Sequence, residues 1–184
     1  MEQRTPMDAA DLAARIVARA GARGVTIAVA ESLTGGLVAE TLVRTPGASV
    51  VLRLGVVAYA TEMKERVLHV PTQLLADRGA VDPEVAIWMA RGVRELAALD
   101  RSACTIGLGT TGVAGPGAQD GHAPGEFHIG IELETTHGLD ASATSHLVRG
   151  DREAVRRAAL RAALDALDAA LERTDLAMHS ESTS

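Results

Sequence analysis

The sequence predicts an α/β protein: a three-layer α/β/α sandwich with a mixed, mostly parallel sheet of about five strands. Two observations lead to this prediction. Short apolar runs of strand length alternate with amphipathic helical patterns over the first two thirds of the chain, as in parallel sheets covered by helices. Nearer the C-terminus, two extended stretches flank the turn His137-Gly138, and a hairpin there adds antiparallel strands to the sheet.

The first half of the chain contains two helix–strand pairs. Asp8 is a suitable N-cap for the first helix, and Gly21 is a stop signal. The second helix must end before Pro46, because a residue that precedes proline avoids the helical conformation. The predicted elements are a helix at 8–20, a strand at 25–30, a helix at 34–44 and a strand at 54–59.

The second half begins with a strong helix start at Asp82-Pro83-Glu84, where a capping residue precedes proline at the first helical position. Glycine and proline recur over 115–125, which predicts a loop long enough to cover a site. The remaining predicted elements are strands at 104–108, 126–134 and 141–148 and a helix at 151–173. We therefore expect one domain over 8–173, an N-terminal tail at 1–7 and a disordered C-terminal tail at 174–184.

Composition limits the partners of this 184-residue chain. Its formal net charge is −6 and only 2% of its residues are aromatic, which argues against nucleic-acid binding and favours a small-molecule ligand. No apolar stretch reaches about 18 residues and the N-terminus is polar, so neither a membrane span nor a signal peptide is expected. The single cysteine, Cys104, fits a reducing cytoplasm.

The most informative stretch is Ala30-Glu31-Ser32-Leu33-Thr34-Gly35-Gly36, in which an apolar run ends in hydroxyls and paired glycines before a helical pattern. Unpaired N–H groups and a positive dipole at a helix N-terminus would favour an anion or an oxyanion there. An ordinary helix cap is the alternative. A second apolar run, 104–108, ends in the similar segment 109–117, and two such turns at one sheet edge predict one shared site.

Lys64 and Tyr59 are the only lysine and the only tyrosine of the chain, and both follow a predicted strand. A desolvated amine can lose its proton and act as a base, which a guanidinium cannot do. The alternative is a solvated helix start at Lys64-Glu65-Arg66. Ser49 has a similar double interpretation, as a cap or as a ligand contact. The six histidines show no metal-ligand spacing, and we expect no metal and no cofactor.

Several motifs, in order, resemble the C-terminal domain of CinA, the competence/damage-inducible protein family. The resemblance covers roughly residues 8–171. The matching segments are Ala30-Glu31-Ser32-Leu33-Thr34-Gly35-Gly36, Pro46-Gly47-Ala48-Ser49, Gly55-Val56-Val57-Ala58-Tyr59, Lys64, Gly79-Ala80-Val81, Thr111-Gly112-Val113-Ala114-Gly115-Pro116 and Gly150-Asp151-Arg152.

The resemblance implies a metal-independent nicotinamide-nucleotide amidohydrolase that converts nicotinamide mononucleotide to nicotinic acid mononucleotide and ammonia. It also implies a three-layer sandwich and a homo-oligomer, with a dimer favoured. A non-catalytic nucleotide-binding module is the alternative function, and a structural partner in DNA uptake or repair is a third that the acidic composition does not favour.

Residue by residue, the resemblance implies Ser32 as the nucleophile, Lys64 as its base and Tyr59 as an assisting group. This chain departs from the family pattern at Leu33, at Thr61 and at 123–126. In the last segment the chain lacks the lysine that the family usually has there, and Glu126 adds a negative charge. The substrate-binding positions that motif and resemblance together suggest are Thr34, Gly35, Gly36, Ser49, Thr111, Gly112 and Arg152.

Overall fold

The structure, a computed structural model, describes residues 7–99, 102–135 and 137–181, with side chains described as far as Thr174. The helices are α1 (Ala9–Ala22), α2 (Leu37–Val43), α3 (Thr61–Leu68), α4 (Thr72–Arg78), α5 (Pro83–Leu96) and α6 (Arg152–Glu181), with a short 3₁₀ helix at Ala48–Val50. The strands are β1 (Ile27–Glu31), β2 (Leu52–Val57), β3 (Ile106–Gly112), β4 (Glu126–Thr135) and β5 (Gly138–Leu147).

The five strands form one sheet in the order β2-β1-β3-β4-β5. β1 is parallel to both β2 and β3, whereas β4 and β5 are antiparallel additions on the β3 side. Helices α1, α2 and α6 cover one face through a large apolar core, and α3 and α5 cover the other. The predicted three-layer α/β fold with a mixed five-stranded sheet is confirmed.

Glycines let α5 lie unusually close to the sheet. A Cβ atom built on Gly107 would lie 2.0 Å from the Ala90 carbonyl oxygen, and one built on Gly130 would lie 2.3 Å from the Ala86 backbone. No side chain fits in these gaps, so the backbone of α5 rests directly on β3 and β4. The opposite face of β4 carries the large apolar side chains, such as Phe127 and Leu133, into the core between the sheet and helices α1, α2 and α6.

The three parallel strands end at a common edge of the sheet. β1 ends at Glu31, β2 at Val57 and β3 at Gly112, and each continues into a turn or loop at that edge. In open α/β sheets the carboxyl ends of parallel strands are where ligands bind. This edge therefore carries the candidate site.

Two predicted helix boundaries were wrong. α2 begins at Leu37 rather than Thr34, because Gly35 and Gly36 have φ angles of +60° and +96°, which a right-handed helix excludes. α6 continues to Glu181, so the tail predicted from residue 174 is helical as far as that residue. The extension contains no glycine or proline, and the Thr174 hydroxyl bonds to the Leu171 carbonyl within the helix.

The other sequence predictions differ in smaller ways. Helix α4 was not predicted, and β5 begins at Gly138 rather than residue 141. Met7, assigned to the N-terminal tail, packs partly buried against the core, and its carbonyl accepts a hydrogen bond from Arg161. Predictions for residues 1–6 and 182–184 lie outside the described residues. In the described part of the chain, every helix is too short or too polar to cross a bilayer.

Candidate active site

A cleft of about 280 Å³ opens at the carboxyl ends of β1, β2 and β3. Its volume lies at the lower end of the range for small-molecule sites. Six of the residues predicted from the sequence line it: Ser32, Tyr59, Lys64, Thr111, Gly112 and Arg152. The loop after β3 supplies a further wall, including Gln119.

Lys64 lies on α3, and its ammonium group points into the floor of this cleft. The side chain is almost fully buried, with 1% of its surface exposed. Its Nζ lies 3.2 Å from Ser32 Oγ, although the two residues are 32 positions apart in sequence. The structure therefore brings together the two groups that the sequence suggested as base and nucleophile.

Burial lowers the pKa of Lys64 from its ordinary value of 10.5 to about 8, because desolvation disfavours the charged amine, and nearby Glu62 opposes the shift. At pH 7 about a tenth of the amine is then neutral, compared with about 0.03% at the ordinary pKa. The concentration of free base is therefore raised by about 300-fold.

The contacts of Nζ can be made in both protonation states of Lys64. Besides Ser32, Nζ bonds to the carbonyl oxygens of Ala58 at 3.0 Å and Tyr59 at 3.4 Å. The charged amine has three N–H groups and can donate to all three oxygens, whereas the neutral amine has two N–H groups, which both carbonyl oxygens can accept. In the neutral form the lone pair is then left for the Ser32 hydroxyl proton, which is the arrangement that a general base requires.

The Ser32 turn is fixed by the carboxylate of Glu31, which is buried beneath it. Glu31 accepts hydrogen bonds from the backbone N–H groups of Gly36, Val38 and Ala39 at 2.8–3.1 Å. The helix N-terminus that the sequence marked as favourable for an anion or an oxyanion is therefore occupied by the protein's own carboxylate, that of Glu31.

Thr34 was predicted to contact substrate, and this prediction was wrong. Its side chain is fully buried and its hydroxyl lies 2.8 Å from that of Thr110, which also accepts the Ser32 N–H. Gly35 and Gly36 do not line the cleft either. Their left-handed backbone turns the chain from β1 into α2 so that Ser32 faces Lys64.

Tyr59 and Arg152 meet at the mouth of the cleft. Arg152 donates to the Tyr59 hydroxyl at 2.8 Å and to the Gly115 carbonyl at 2.9 Å. Both residues are exposed. The hydrogen bond from Lys64 reaches the Tyr59 carbonyl rather than its phenol, so the phenol is held at the entrance and not beside the amine.

Thr111 and Gly112 form the wall contributed by β3. The Thr111 hydroxyl donates to the Ala80 carbonyl at 2.5 Å and ties β3 to the segment before α5. A Cβ atom on Gly112 would lie 2.4 Å from that of Phe127. Only glycine permits this approach between β3 and β4.

Ser49, which the resemblance placed among the substrate-binding positions, does not line the cleft. It lies in the 3₁₀ helix before β2 and lines two other depressions of the surface. The six residues of β2 separate the two ends of that strand by about 17 Å.

Glu126, one of the departures from the family pattern, does not line the cleft. Its carboxylate bonds to His122 Nδ1 at 2.9 Å, and this contact links two residues near the end of the loop after β3. Thr61, another departure, does line the cleft.

Two further residues, Glu31 and Arg156, hold the Ser32 turn although no sequence signal assigned them a role. Glu31 accepts hydrogen bonds from the N–H groups at the start of α2, and Arg156 donates to the carbonyl oxygens of Leu33 and Thr34. No spacing rule links either side chain to the turn that it contacts.

Fold and site together define an α/β domain with a buried serine–lysine pair, and comparisons with known proteins give its family. The profile of the CinA C-terminal domain family matches residues 9–171. A CinA-like protein of Anaeromyxobacter sp. (strain Fw109-5) is 47% identical over 162 residues, which are 88% of this chain and 37% of that relative. The chain belongs to the CinA C-terminal domain family, as the motifs indicated.

Solved structures agree with this assignment. The competence/damage inducible protein CihA from Agrobacterium tumefaciens is 31% identical with a TM-score of 0.80, and the match covers 93% of this chain and 99% of that one. A CinA superfamily protein from Enterobacter cloacae is 26% identical with a TM-score of 0.84, over 93% and 96% of the two chains. The present chain spans just over a third of the length of the Anaeromyxobacter relative.

Proposed function

We propose that the protein is a nicotinamide mononucleotide deamidase that uses Ser32 as nucleophile and Lys64 as general base. The observation that carries this proposal is the buried Lys64 amine 3.2 Å from the Ser32 hydroxyl, with its pKa lowered to about 8. An amine so placed is a proton acceptor near neutral pH. The choice of substrate rests on the family resemblance.

In the proposed reaction, Ser32 Oγ attacks the carboxamide carbon while its proton passes to the neutral Lys64 amine. The resulting Lys64 ammonium then donates a proton to the departing nitrogen, which leaves as ammonia. Water attacks the ester that remains on Ser32 and gives up a proton to Lys64. This proton then returns to Ser32 Oγ as the carboxylic acid is released, so one water is consumed for each ammonia formed.

The position and contacts of Arg152 support a substrate that carries a phosphate group. Its guanidinium is exposed at the cleft mouth, and the acceptors that it meets among the described residues are neutral, the Tyr59 hydroxyl and the Gly115 carbonyl. A phosphate would form stronger, charge-assisted bonds with the same donors. We expect the nucleotide phosphate to displace one of these contacts, with the carboxamide directed towards Ser32.

The direct test is ammonia release from nicotinamide mononucleotide by purified, chelator-treated protein. The parent should release ammonia and Ser32→Ala should not. Ser142→Ala is the matched control, because Ser142 is an exposed serine on β5, distant from the cleft. Equal rates for the parent and Ser32→Ala would refute the proposal.

A non-catalytic nucleotide-binding module is the second candidate. The observation that favours it is the Tyr59 phenol, which bonds to Arg152 and not to the Lys64 amine that it was expected to assist. Calorimetry separates the two functions. Nucleotide binding without ammonia release would favour the module, whereas turnover at about 1 per second or faster would exclude it.

A further inference from the structure

We infer that Arg156 is a positioning residue for Ser32: it holds the turn that places the Ser32 hydroxyl beside the Lys64 amine. This inference rests on the proposed function, because it assigns Arg156 to the chemistry of the same nucleophile. Arg156 belongs to α6 and lies more than 120 positions from the turn in sequence, so only the fold brings them together.

The guanidinium of Arg156 bonds to two consecutive peptide groups of the turn. Its Nε donates to the Leu33 carbonyl at 3.2 Å and its Nη2 to the Thr34 carbonyl at 2.9 Å. Because a guanidinium is planar and its donors form a rigid fork, both carbonyl directions are fixed together. These peptide groups join Leu33 to Thr34 and Thr34 to Gly35, so they begin one peptide beyond Ser32. Holding their planes limits the backbone rotations of the turn that would swing Oγ away from Nζ.

The side chains of Glu31, Thr110 and Arg156 all hold this turn, and Arg156 is the one that lies on the same helix as Arg152. Glu31 holds the start of α2, and Thr110 holds the Ser32 N–H. Arg152 and Arg156 are four residues apart on α6 and so lie on the same face of the helix. One turn of α6 thus places Arg152 at the cleft mouth and Arg156 against the turn that orients the nucleophile.

Arg157 provides a matched control. Both arginines bond to Glu153, Arg156 through Nη1 at 3.1 Å and Arg157 through Nε at 2.9 Å. The Arg157 side chain is 74% exposed, and among the described residues its ion-pair partner is Glu153. The substitution Arg157→Ala therefore removes the same charge and one ion pair with Glu153, and it leaves the contacts of the turn in place.

The first readout is the rate at which a sulfonyl fluoride modifies Ser32, measured by mass spectrometry of the digested protein, which locates the label on the Ser32 peptide. Ser32 Oγ bonds to sulfur, fluoride leaves, and the hydroxyl proton passes to Lys64, so no nucleotide is needed. We expect Arg156→Ala to slow labelling by about tenfold to hundredfold, the scale of a small misplacement of reacting groups. Arg157→Ala should label at the parent rate.

The second readout is turnover of nicotinamide mononucleotide. Arg156→Ala should lower kcat by a similar factor and change KM by less than about threefold, because the nucleophile and not the substrate contact is displaced. Arg156→Lys keeps the charge but cannot span both carbonyls in one plane. It should show an intermediate loss and serves as the test if Arg156→Ala does not fold, as judged by thermal denaturation.

Parent-like labelling and kcat in a folded Arg156→Ala or Arg156→Lys protein would overturn the inference. A parent that is not labelled at Ser32 would overturn the nucleophile assignment and the inference with it. Labelling of the parent without ammonia release would contradict only the proposed substrate. The labelling rates of the Arg156 variants would then still decide the role of Arg156.

Discussion

The substitution Lys64→Arg tests whether Lys64 transfers a proton or only supplies charge. At pH 7 about a tenth of the Lys64 amine is neutral, whereas a guanidinium stays protonated at this pH and cannot act as a base. General base catalysis contributes about 10²- to 10⁴-fold to enzyme rates, so we expect turnover to fall by at least about 10²-fold. Nucleotide affinity should change much less.

The assay is ammonia release at pH 7 with saturating nicotinamide mononucleotide, with affinity measured by calorimetry and folding by circular dichroism. Because Lys64 is fully buried, the larger guanidinium adds a packing cost of about 1–3 kcal/mol. Lys64→Met, which fits the same space without a charge, is the second variant and should also lose turnover. A Lys64→Arg protein that turns over within a few-fold of the parent would refute the base assignment.

Three further predictions concern pH and packing. Since kcat/KM reports groups of the free protein, it should rise with pH through a midpoint near 8; a profile that is flat from pH 6 to 9 would contradict this. The unfolded chain keeps Lys64 protonated up to about pH 10.5, whereas the folded protein releases this proton near pH 8, so stability rises with pH between these values. Between pH 7 and 10 the unfolding free energy of the parent should therefore rise by about 2–3 kcal/mol relative to that of Lys64→Met. Urea titrations that show no such rise would refute the burial argument. Glu31→Gln should cost about 1–3 kcal/mol in the same titrations, because the amide cannot accept all three backbone N–H groups, and an unchanged midpoint would show that the carboxylate is dispensable.

The sequence predicted the layers of this fold well because its signals are local. The apolar runs that became β1 and β3 are flanked by glycine and hydroxyl residues, and the cap at Asp82 begins α5 as expected. The boundaries that failed depended on backbone conformation. Thr34 looked like a helix cap, but the two left-handed glycines after it delay α2 until Leu37.

The site was only partly predictable because its contacts join distant segments. Motif resemblance suggested Ser32 and Lys64, and the structure brings them within hydrogen-bonding distance. The carboxylate of Glu31 could not be foreseen at the helix N-terminus, since its position depends on the fold of the turn. Ser49 was chosen for its motif, yet the parallel direction of β2 carries it to the other end of the sheet.

The protonation of Lys64 tests the central claim most directly, and the sequence makes it accessible, because Lys64 is the only lysine. Protein labelled with isotopically enriched lysine gives one side-chain signal, whose pH titration by nuclear magnetic resonance reports this pKa alone. The structure predicts a midpoint near 8. A midpoint near the ordinary value of 10.5 would show that the amine is solvated and fully charged at neutral pH, and would contradict its role as the base for Ser32.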